Sequence, residues 1–410
     1  MNLSNKIKVL YIHHTTALGG ATNSMLFTIQ NLPKDQFQSK VLFLDKEGPA
    51  SDLFKNNNIE IDHLFGITHF QHAENGKIKW IGRIPLKPIF QFIKMLKSVG
   101  SIAEYLLNQK VDIIHINTSV MLAVGLACKK IKQNVVWHVR EPISKGVFGV
   151  RRYIVTKIIS KCANQIIAIS KQDLKAIGDP KNGNVVYNFL NFEKFNSETV
   201  QDKLHQELNL PPNTKIILML GGVVHSKGAD VLIESIPQII NHNSNIHFVI
   251  VGYPPNQPNQ KNQRFNWNRS MSDKCINLIS KYKIDKYITF LGLRNDIPEL
   301  LISSNILVWP ATVPHFSRPI IEAQAMGIPT IGTNFKVTKE VIVDEETGLT
   351  FVNGNSKDLA KKINQLLNDK VLYKKISFQA YQEAKNRFNA DINIKKVVSI
   401  YHSIYKETSV

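Results

Sequence analysis

The chain has 410 residues, of which 43% are hydrophobic, and it carries a formal net charge of +19 at pH 7. This length and composition predict a globular protein with room for two domains. Three scattered cysteines, Cys128, Cys162 and Cys275, exclude a disulfide framework or a cysteine metal site and favour a reducing compartment. Neither a membrane span nor a secreted protein is expected, because the sequence has no run of 18 apolar residues and no signal-peptide core.

Most of the positive charge lies in the first half of the chain. Residues 1–195 contain 26 Lys and Arg against 13 Asp and Glu, a net charge of +13, whereas the remainder carries +6. Such an excess suits nucleic acid, an anionic membrane surface or an anionic substrate. No nucleic acid partner is expected, since neither a zinc-finger spacing nor an aromatic RNA-binding signature accompanies the charge. The compositional bias of a Lys- and Asn-rich chain is the alternative explanation.

The first predicted strand, Lys8–His13, leads into a glycine turn and a helix that begins near Gly20. Gly19 and Gly20 allow a ligand to approach the backbone closely. A nicotinamide or flavin cofactor is not expected, because the dinucleotide-binding G-x-G-x-x-G pattern is absent.

Further apolar runs of strand type alternate with helices of 3.6-residue periodicity, and they cover Lys40–Leu44, Ile59–His63, Val111–Ile116, Asn134–His138 and Gln165–Ile169. This order predicts a parallel sheet with helices on both faces. His138, Arg140 and Glu141 cluster at the carboxyl end of one strand, which is where open α/β sheets bind ligands. A single histidine at a strand end is more often structural, so both interpretations are open at this point.

Two segments combine basic residues with apolar and aromatic ones and contain no acid. The first is 77–97 and the second runs from Lys145 to Lys171. Basic amphipathic helices with aromatic anchors suit an anionic lipid surface, at about 1 kcal/mol per basic residue near the membrane. The alternative is an ordinary solvated helix face that lies over a core stripe.

A second α/β unit is predicted after a proline-containing connection at 191–214. It begins with the strand Lys215–Leu220, and the loop 221–228 that follows contains Lys227. Further along, the apolar strand Asn305–Trp309 precedes a helix that Ser317 is expected to cap.

The start of that helix has two features of a nucleotide site. Its first turn presents backbone N–H groups and the positive end of the helix dipole, which suit a phosphate. Pro319 is tolerated there because a first-turn N–H would be unpaired anyway. Glu322, one turn further on, is well placed to accept hydrogen bonds from sugar hydroxyls. A nucleotide contains both groups.

The segment Phe316-Ser-Arg-Pro-Ile-Ile-Glu322-Ala-Gln-Ala-Met-Gly-Ile-Pro resembles the signature of the retaining glycosyltransferases of family 4, which have the GT-B fold. The resemblance covers nearly the whole chain. It implies an α/β protein of two Rossmann-like domains that face each other across a cleft, with a C-terminal helix returning to the first domain. The implied boundaries are 1–190 for the acceptor-side domain, 191–214 for the connection, 215–390 for the nucleotide-sugar-binding domain and 391–410 for the returning helix.

The resemblance also implies roles for individual residues. The residues implied in catalysis are His138, Lys227 and Glu322. Those implied in donor binding are Gly19, Gly20, Gly221, Gly222, Arg294, Phe316, Ser317, Arg318 and Ile321. Arg140 and Glu141 are implied on the acceptor side.

Two positions depart from the family pattern. Pro314 stands where the first glutamate of the family pair would fall, and Gly222 stands at the arginine that holds the diphosphate. Losing one charge-assisted contact typically costs ~1.5–3 kcal/mol, so the two losses together weaken donor binding unless Arg318 and Lys227 compensate. Pro314→Glu combined with Gly222→Arg is expected to restore the pattern.

The predicted activity is therefore a metal-independent, retaining transfer of a sugar from a UDP- or GDP-sugar to a glycan or lipid-linked acceptor in bacterial cell-surface polysaccharide synthesis. The sequence contains no Asp-x-Asp metal motif, and no cofactor is expected. The predicted location is cytoplasmic and peripheral, on the inner face of the cell membrane. Two alternatives remain: a catalytically silent GT-B subunit that supports a partner glycosyltransferase, and a nucleotide-sugar epimerase on the same fold.

Overall fold

A computed structural model describes residues 6–70, 86–255 and 267–408. The chain divides into two compact units. Unit 1 comprises Met1–Phe189 together with Ala390–Val410, and unit 2 comprises Leu190–Asn389.

Unit 1 contains one sheet of seven strands, in which every neighbouring pair is parallel. The strands are β1 (Ile7–His13), β2 (Phe37–Phe43), β3 (Glu60–His63), β4 (Ile113–Ile116), β5 (Val135–Val139), β6 (Gln165–Ala168) and β7 (Gly183–Val185). Their order across the sheet is β3-β2-β1-β4-β5-β6-β7. The chain therefore reverses its winding direction between the adjacent strands β1 and β4.

Unit 2 contains a parallel sheet of six strands. The strands are β8 (Lys215–Leu220), β9 (Ile246–Val251), β10 (Ile288–Leu291), β11 (Ile306–Trp309), β12 (Thr330–Thr333) and β13 (Leu349–Phe351). Their order is β10-β9-β8-β11-β12-β13, so the reversal of winding falls between β8 and β11.

Helices connect the strands in both units. In chain order they are α1 (Gly20–Asn31), α2 (Pro49–Lys55), α3 (Leu86–Leu107), α4 (Leu122–Lys130), α5 (Val150–Cys162), α6 (Lys171–Ala176), α7 (Leu204–Glu207), α8 (Ala229–Ile240), α9 (Trp267–Tyr282), α10 (Ile297–Ile302), α11 (Arg318–Ala325), α12 (Ser356–Asn368), α13 (Lys370–Arg387) and α14 (Ala390–Thr408). Short 3-10 turns occur at Val147–Gly149, His225–Lys227, Asp285–Tyr287 and Thr338–Glu340.

The core of unit 1 lies on both faces of its sheet, because alternate residues of a strand point to opposite faces. Leu10 and Ile12 of β1 belong to one buried cluster, whereas Val9 and Tyr11 belong to the other. Helix α14 covers the second face with a stripe at helical spacing, formed by Val397, Ile400, Tyr401 and Ile404. The C-terminal helix thus packs on the first sheet, as the sequence predicts.

The predicted fold class is confirmed: each unit is a parallel α/β sheet with helices on both sides. Most predicted strands agree with the observed ones to within a few residues. The short strands β7 and β13 were not predicted. Part of the basic stretch 77–97, residues 77–85, lies outside the described residues. Among the helices that are described, none has the length and apolarity to cross a bilayer.

Candidate functional site

Apart from Arg294, the predicted donor residues of unit 2 lie in the loops at the point where the winding of its sheet reverses. In open α/β sheets such a switch point leaves a crevice at the carboxyl ends of the strands, where ligands bind. The loops at 221–228 and 310–317 follow β8 and β11, the two strands that flank this point. The structure therefore brings Gly221, Gly222 and Lys227 to the same edge as the start of α11.

Close contacts hold these two loops together. The Thr312 backbone N–H donates to Ser226 O over 3.1 Å, and Thr312 Oγ1 donates to His225 O over 2.7 Å. At Gly228, which has φ +72°, an added Cβ would lie 1.9 Å from Pro310 O. Any other residue at 228 would force the loops apart, so this glycine is required for the architecture of the site.

Lys227 is largely buried at this edge, with its ammonium group against the rings of His315 and Trp309. Its Nζ lies 2.8 Å from His315 Nε2 and 4.5 Å from the centre of the Trp309 ring. His315 Nδ1 donates to Val313 O over 2.8 Å, so its Nε2 carries the lone pair that accepts from Lys227. Burial lowers the pKa of Lys227 to about 8, and burial together with Lys227 lowers the pKa of His315 to about 4.

Within the described part of the chain, no carboxylate pairs with the charge of Lys227. Of the ion pairs formed within the described residues, none involves Lys227, and its neighbours are a neutral imidazole and an indole. A buried cation without an anionic partner is costly, and active sites are where such costs are retained. The arrangement suits an anion that arrives with the substrate.

The N-terminus of α11 is partly satisfied by its own side chains. Ser317 Oγ accepts from the Ile320 N–H over 3.3 Å, and Pro319 has no N–H. Arg318 Nε donates to Glu322 Oε1 over 2.7 Å. The helix end thus retains its positive dipole but offers fewer free backbone N–H donors than the sequence predicts. Glu322 is 8% exposed, and its Oε2 has no hydrogen-bond partner among the described side chains and backbone. Phe316 and Ile321 are buried.

Gly222 cannot carry the arginine of the family pattern. Its φ is +68°, and an added Cβ would lie 2.3 Å from Tyr253 N and 2.8 Å from Gly252 C. These are backbone atoms that cannot move aside as a flexible side chain can. The expectation that Gly222→Arg restores the pattern is therefore wrong. At Gly221 an added Cβ would lie 3.2 Å from the aliphatic carbons of Lys227.

Arg294 is already paired with two carboxylates. Its guanidinium contacts Glu207 through Nη1 and Nη2, at 2.5 and 3.0 Å, and Asp296 through Nε and Nη2, at 2.8 and 2.5 Å. Its role in donor binding stays a prediction.

In unit 1 the predicted residues surround the switch point between β1 and β4. Gly19 precedes α1 with an extended backbone, and an added Cβ at Gly19 or Gly20 would meet nothing within 4 Å. His13 Nε2 lies 3.2 Å from Thr22 Oγ1, and His13 Nδ1 lies 3.1 Å from Asn117 Nδ2. These contacts connect the glycine turn to the residue that follows β4.

Arg140 and Glu141 hold neighbouring loops in place. Arg140 donates from Nε to Asn117 Oδ1 over 2.7 Å and from Nη1 to Asn188 Oδ1 over 3.1 Å. Glu141 Oε1 accepts from the backbone N–H and the hydroxyl of Ser119, at 2.8 and 2.6 Å. Both side chains therefore have structural partners within unit 1, and their acceptor-side role stays a prediction.

His138 is buried near the carboxyl end of β5, with 3% of its surface exposed. Its Nδ1 lies 3.2 Å from His115 Nε2, while its Nε2 has no partner among the described residues. Burial first, then Arg140 and His115, lower its pKa well below the usual range, so the ring is neutral at physiological pH. His115 and His315 were not predicted from the sequence. For His315, its position next to Phe316 of the signature segment was the available signal.

No cluster of three or more His, Cys, Asp or Glu side chains suited to a metal ion occurs in the parts of the chain that the structure describes.

Comparison with known proteins relates the chain to the glycosyltransferases. The family model for glycosyl transferases group 1 matches residues 200–383, all within unit 2. The capsular polysaccharide biosynthesis glycosyltransferase CapM of Staphylococcus aureus is 25% identical over 343 residues, which cover 79% of this chain and 85% of CapM. The UDP-Gal:alpha-D-GlcNAc-diphosphoundecaprenol alpha-1,3-galactosyltransferase of Escherichia coli is 24% identical over 415 aligned residues, which cover 97% of each chain. Unit 2 therefore matches the glycosyl transferases of group 1, and both relatives that extend over most of this chain are glycosyltransferases.

The fold agrees with this match. The crystal structure of Anabaena HepE in complex with UDP and glucose superimposes with a TM-score of 0.76, at 19% identity, over 97% of this chain and 100% of HepE. The chain thus has the GT-B fold of the glycosyltransferases that it resembles.

Proposed function

We propose that this transferase moves a sugar, without a metal ion, from a nucleotide-sugar to a hydroxyl of a glycan or lipid-linked acceptor during synthesis of a bacterial cell-surface polysaccharide. The names of its relatives support this choice. CapM is a capsular polysaccharide enzyme, and the Escherichia coli relative has UDP-Gal as donor and a diphosphoundecaprenol-linked sugar as acceptor. Both relatives are matched over most of their length.

The single observation that carries the proposal is the buried, unpaired charge of Lys227 beside the α11 N-terminus. A leaving nucleoside diphosphate gains negative charge as the glycosidic bond breaks. Fixed positive groups that already point at that position stabilise the transition state without reorganising. Lys227, supported by the helix dipole, supplies this positive electrostatic environment from unit 2. Glu322 Oε2 accepts a hydrogen bond from a sugar hydroxyl of the nucleotide.

We assign the donor sugar contact in unit 1 to His138. The ring is neutral and its Nε2 has no partner among the described residues, so it is available for one hydrogen bond to a sugar oxygen. Gly19 and Gly20 leave open space at the neighbouring strand end, which suits a ligand that approaches the backbone.

Peripheral attachment to an anionic membrane through unit 1 is part of the proposal. Phe148 is 99% exposed in a turn with φ +48° and lies between two glycines that also have positive φ. Val150 and Tyr153 follow as exposed residues of α5, and the exposed Lys145 and Lys157 lie close in sequence. Apolar side chains that insert among lipid headgroups, flanked by cations, are the pattern of an interfacial anchor.

Helix α3 presents a second surface of the same kind. Phe90 and Ile93 are exposed with Lys94 and Lys97, at the spacing of one helix face. Helices α3 and α5 both pack against α4, so the two surfaces belong to one helical layer of unit 1. This attachment would place the protein at the cytoplasmic face of the membrane, beside a lipid-linked acceptor.

The test of the proposed function combines binding with turnover. The native protein is titrated with UDP and GDP by calorimetry, and hydrolysis of UDP-glucose, UDP-galactose, UDP-GlcNAc and GDP-mannose is followed without acceptor. We expect one nucleotide to bind and its sugar conjugate to be slowly hydrolysed. Lys227→Ala should lower turnover more than it weakens nucleotide binding, because leaving-group charge is largest in the transition state.

Glu322→Ala should weaken binding of the nucleoside diphosphate about tenfold, from ~1.5 kcal/mol for a charged hydrogen bond. Lys361→Ala, which removes an exposed lysine of α12 in the same unit, is the matched control and should change neither quantity. If the native protein neither binds nor hydrolyses any of these donors but raises the activity of a co-expressed transferase, the silent-subunit alternative replaces the proposal. The departures at Pro314 and Gly222 are the observations that favour this alternative.

A further inference from the structure

A chain of buried hydrogen bonds leads from the C-terminal helix to His138. Tyr11 Oη of β1 lies 2.7 Å from Tyr401 Oη of α14. Tyr401 Oη lies 2.8 Å from His115 Nδ1, and His115 Nε2 lies 3.2 Å from His138 Nδ1. All four side chains are on the sheet face that α14 covers, and none is more than 3% exposed. The chain ends at His138 Nε2, which has no partner among the described residues.

Tyr11, at the buried end of this series of hydrogen bonds, determines which group donates in each of them. Tyr11 Oη is fully buried, and its one hydrogen-bond partner among the described residues is Tyr401 Oη. A buried hydroxyl proton without an acceptor is costly, so Tyr11 donates to Tyr401. Tyr401 must then donate its own proton to His115 Nδ1.

This direction also determines which ring nitrogen of each histidine carries the proton. When His115 Nδ1 accepts, the neutral ring carries its proton on Nε2 and donates to His138 Nδ1. His138 in turn carries its proton on Nε2. Each direction leaves one proton without a described acceptor: the opposite one leaves it on Tyr11, in the fully buried core, whereas this one places it on His138 Nε2 near the carboxyl end of β5, where a substrate oxygen can accept it. Both imidazoles are neutral at physiological pH, since burial lowers the pKa of each, and burial raises the pKa of both tyrosines.

We infer that Tyr401 is a positioning residue that acts through His115 to hold His138 as its Nε2–H tautomer, so that His138 presents a hydrogen-bond donor to an oxygen of the substrate. The inference rests on the proposed role of His138 toward the donor sugar. It assigns to α14 a task beyond packing: the last helix determines which nitrogen of a site histidine carries the proton.

The experiment measures the tautomer directly. Protein labelled with 15N in its histidines is studied by long-range nitrogen–proton NMR at pH 7.5, where protonated and bare ring nitrogens have well-separated nitrogen shifts. The His138 signals are identified by their loss in His138→Gln. We expect native His138 to show a bare Nδ1 and a protonated Nε2.

Two conservative variants then separate the tautomer chain from simple packing. Tyr401→Phe removes the proton that fixes His115, so a His138 Nδ1–H form should appear in part of the molecules. Tyr11→Phe leaves Tyr401 with one acceptor for its proton, His115 Nδ1, and should keep the native tautomer. Tyr373→Phe, which removes a tyrosine hydroxyl bonded to Asn305 O in unit 2, is the control and should change nothing at His138.

Activity gives the second measurement. For whichever sugar conjugate the native protein hydrolyses, Tyr401→Phe should lower turnover about fivefold to tenfold, the loss of one neutral hydrogen bond in the transition state, while UDP or GDP affinity stays native. Tyr11→Phe should retain most of the turnover and show that a changed tautomer, and not a loosened α14, causes the defect.

The inference is overturned if native His138 carries its proton on Nδ1, if Tyr401→Phe leaves the tautomer wholly native, or if the tautomer changes while turnover does not. Failure of the proposed function looks different. The native protein would then bind no nucleotide and hydrolyse no donor, while the NMR spectra would still decide whether Tyr401 fixes the tautomer.

Discussion

Replacing Lys227 by methionine should stabilise the protein while it damages the donor site. Methionine keeps the length and the apolar stem of lysine but removes the charge. In the folded unit the pKa of Lys227 is about 8, compared with its usual 10.5, because the ammonium group is buried without a counter-charge. The unfolded chain therefore binds this proton more tightly than the folded one.

The size of the effect follows from that difference. Roughly 2.5 pH units correspond to roughly 3 kcal/mol of folding free energy at neutral pH. In the methionine variant the lone pair of His315 Nε2 has lost its donor, which reduces the gain in folding free energy by about 1 kcal/mol. A net gain of about 2 kcal/mol should raise the Tm of a 200-residue unit by roughly 4–8 °C.

The pH dependence has a defined sign. The destabilisation caused by Lys227 is present in full below pH 8, where the folded state must carry the buried charge, and it disappears as pH rises toward 10.5. The stability advantage of Lys227→Met should therefore shrink between pH 8 and pH 10.5. Calorimetric unfolding of native and variant protein at pH 7 and pH 9.5 measures this, with Lys361→Met as the control for an exposed lysine.

Added nucleotide supplies the functional half of the test. A ligand at 100 times its Kd stabilises the native protein by about 2.7 kcal/mol, and the same UDP or GDP concentration should stabilise Lys227→Met much less. A variant that is less stable than the native protein at pH 7, or one that retains the full nucleotide-induced shift, would refute this reasoning about the unpaired charge.

Three further predictions concern backbone and surface positions. Gly222→Ala should lower the free energy of unfolding by about 2 kcal/mol or more, because its Cβ meets backbone atoms, and a urea midpoint equal to the native one would contradict this. Gly125→Ala in α4 should destabilise by about 1–3 kcal/mol, since the new Cβ would lie 2.2 Å from a buried tryptophan ring, whereas Gly100→Ala in α3 meets nothing and should stabilise by about 0.5–1 kcal/mol. Phe148→Ser should weaken binding to anionic vesicles about tenfold, with Phe378→Ser, an exposed phenylalanine of unit 2, as the control; equal losses in both would argue against a specific anchor.

The sequence was sufficient for the parts of this protein that depend on local periodicity. Apolar runs such as those of β8 and β11 are buried on both faces of a parallel sheet, and their composition alone distinguishes them from surface segments. The cap at Ser317 and the end of α11 were also predictable, because capping and termination are chemistry between near neighbours in the chain.

The signature segment was enough for the family, since its residues are contiguous. The family model matches residues 200–383, which include this segment. The chain order alone did not reveal what surrounds each predicted residue. Arg294 has two carboxylate partners 87 and 2 positions away, and neither could be identified from the motif.

Tertiary structure decided the questions that turn on a few tenths of an ångström or on distant partners. The sequence alone allows either glycine or arginine at position 222. In the fold, the backbone of Tyr253 occupies the space that a side chain at Gly222 needs. The sequence shows only that residue 227 is a lysine. Its lack of an anionic partner among the described residues becomes clear in the fold, where Trp309 and His315 surround it. Hydrophobic periodicity encodes which face of an element is buried, but long-range contacts determine what each buried polar atom meets. The hydrogen bonds from Tyr401 to a histidine 286 positions earlier therefore belong to the fold and not to any local pattern.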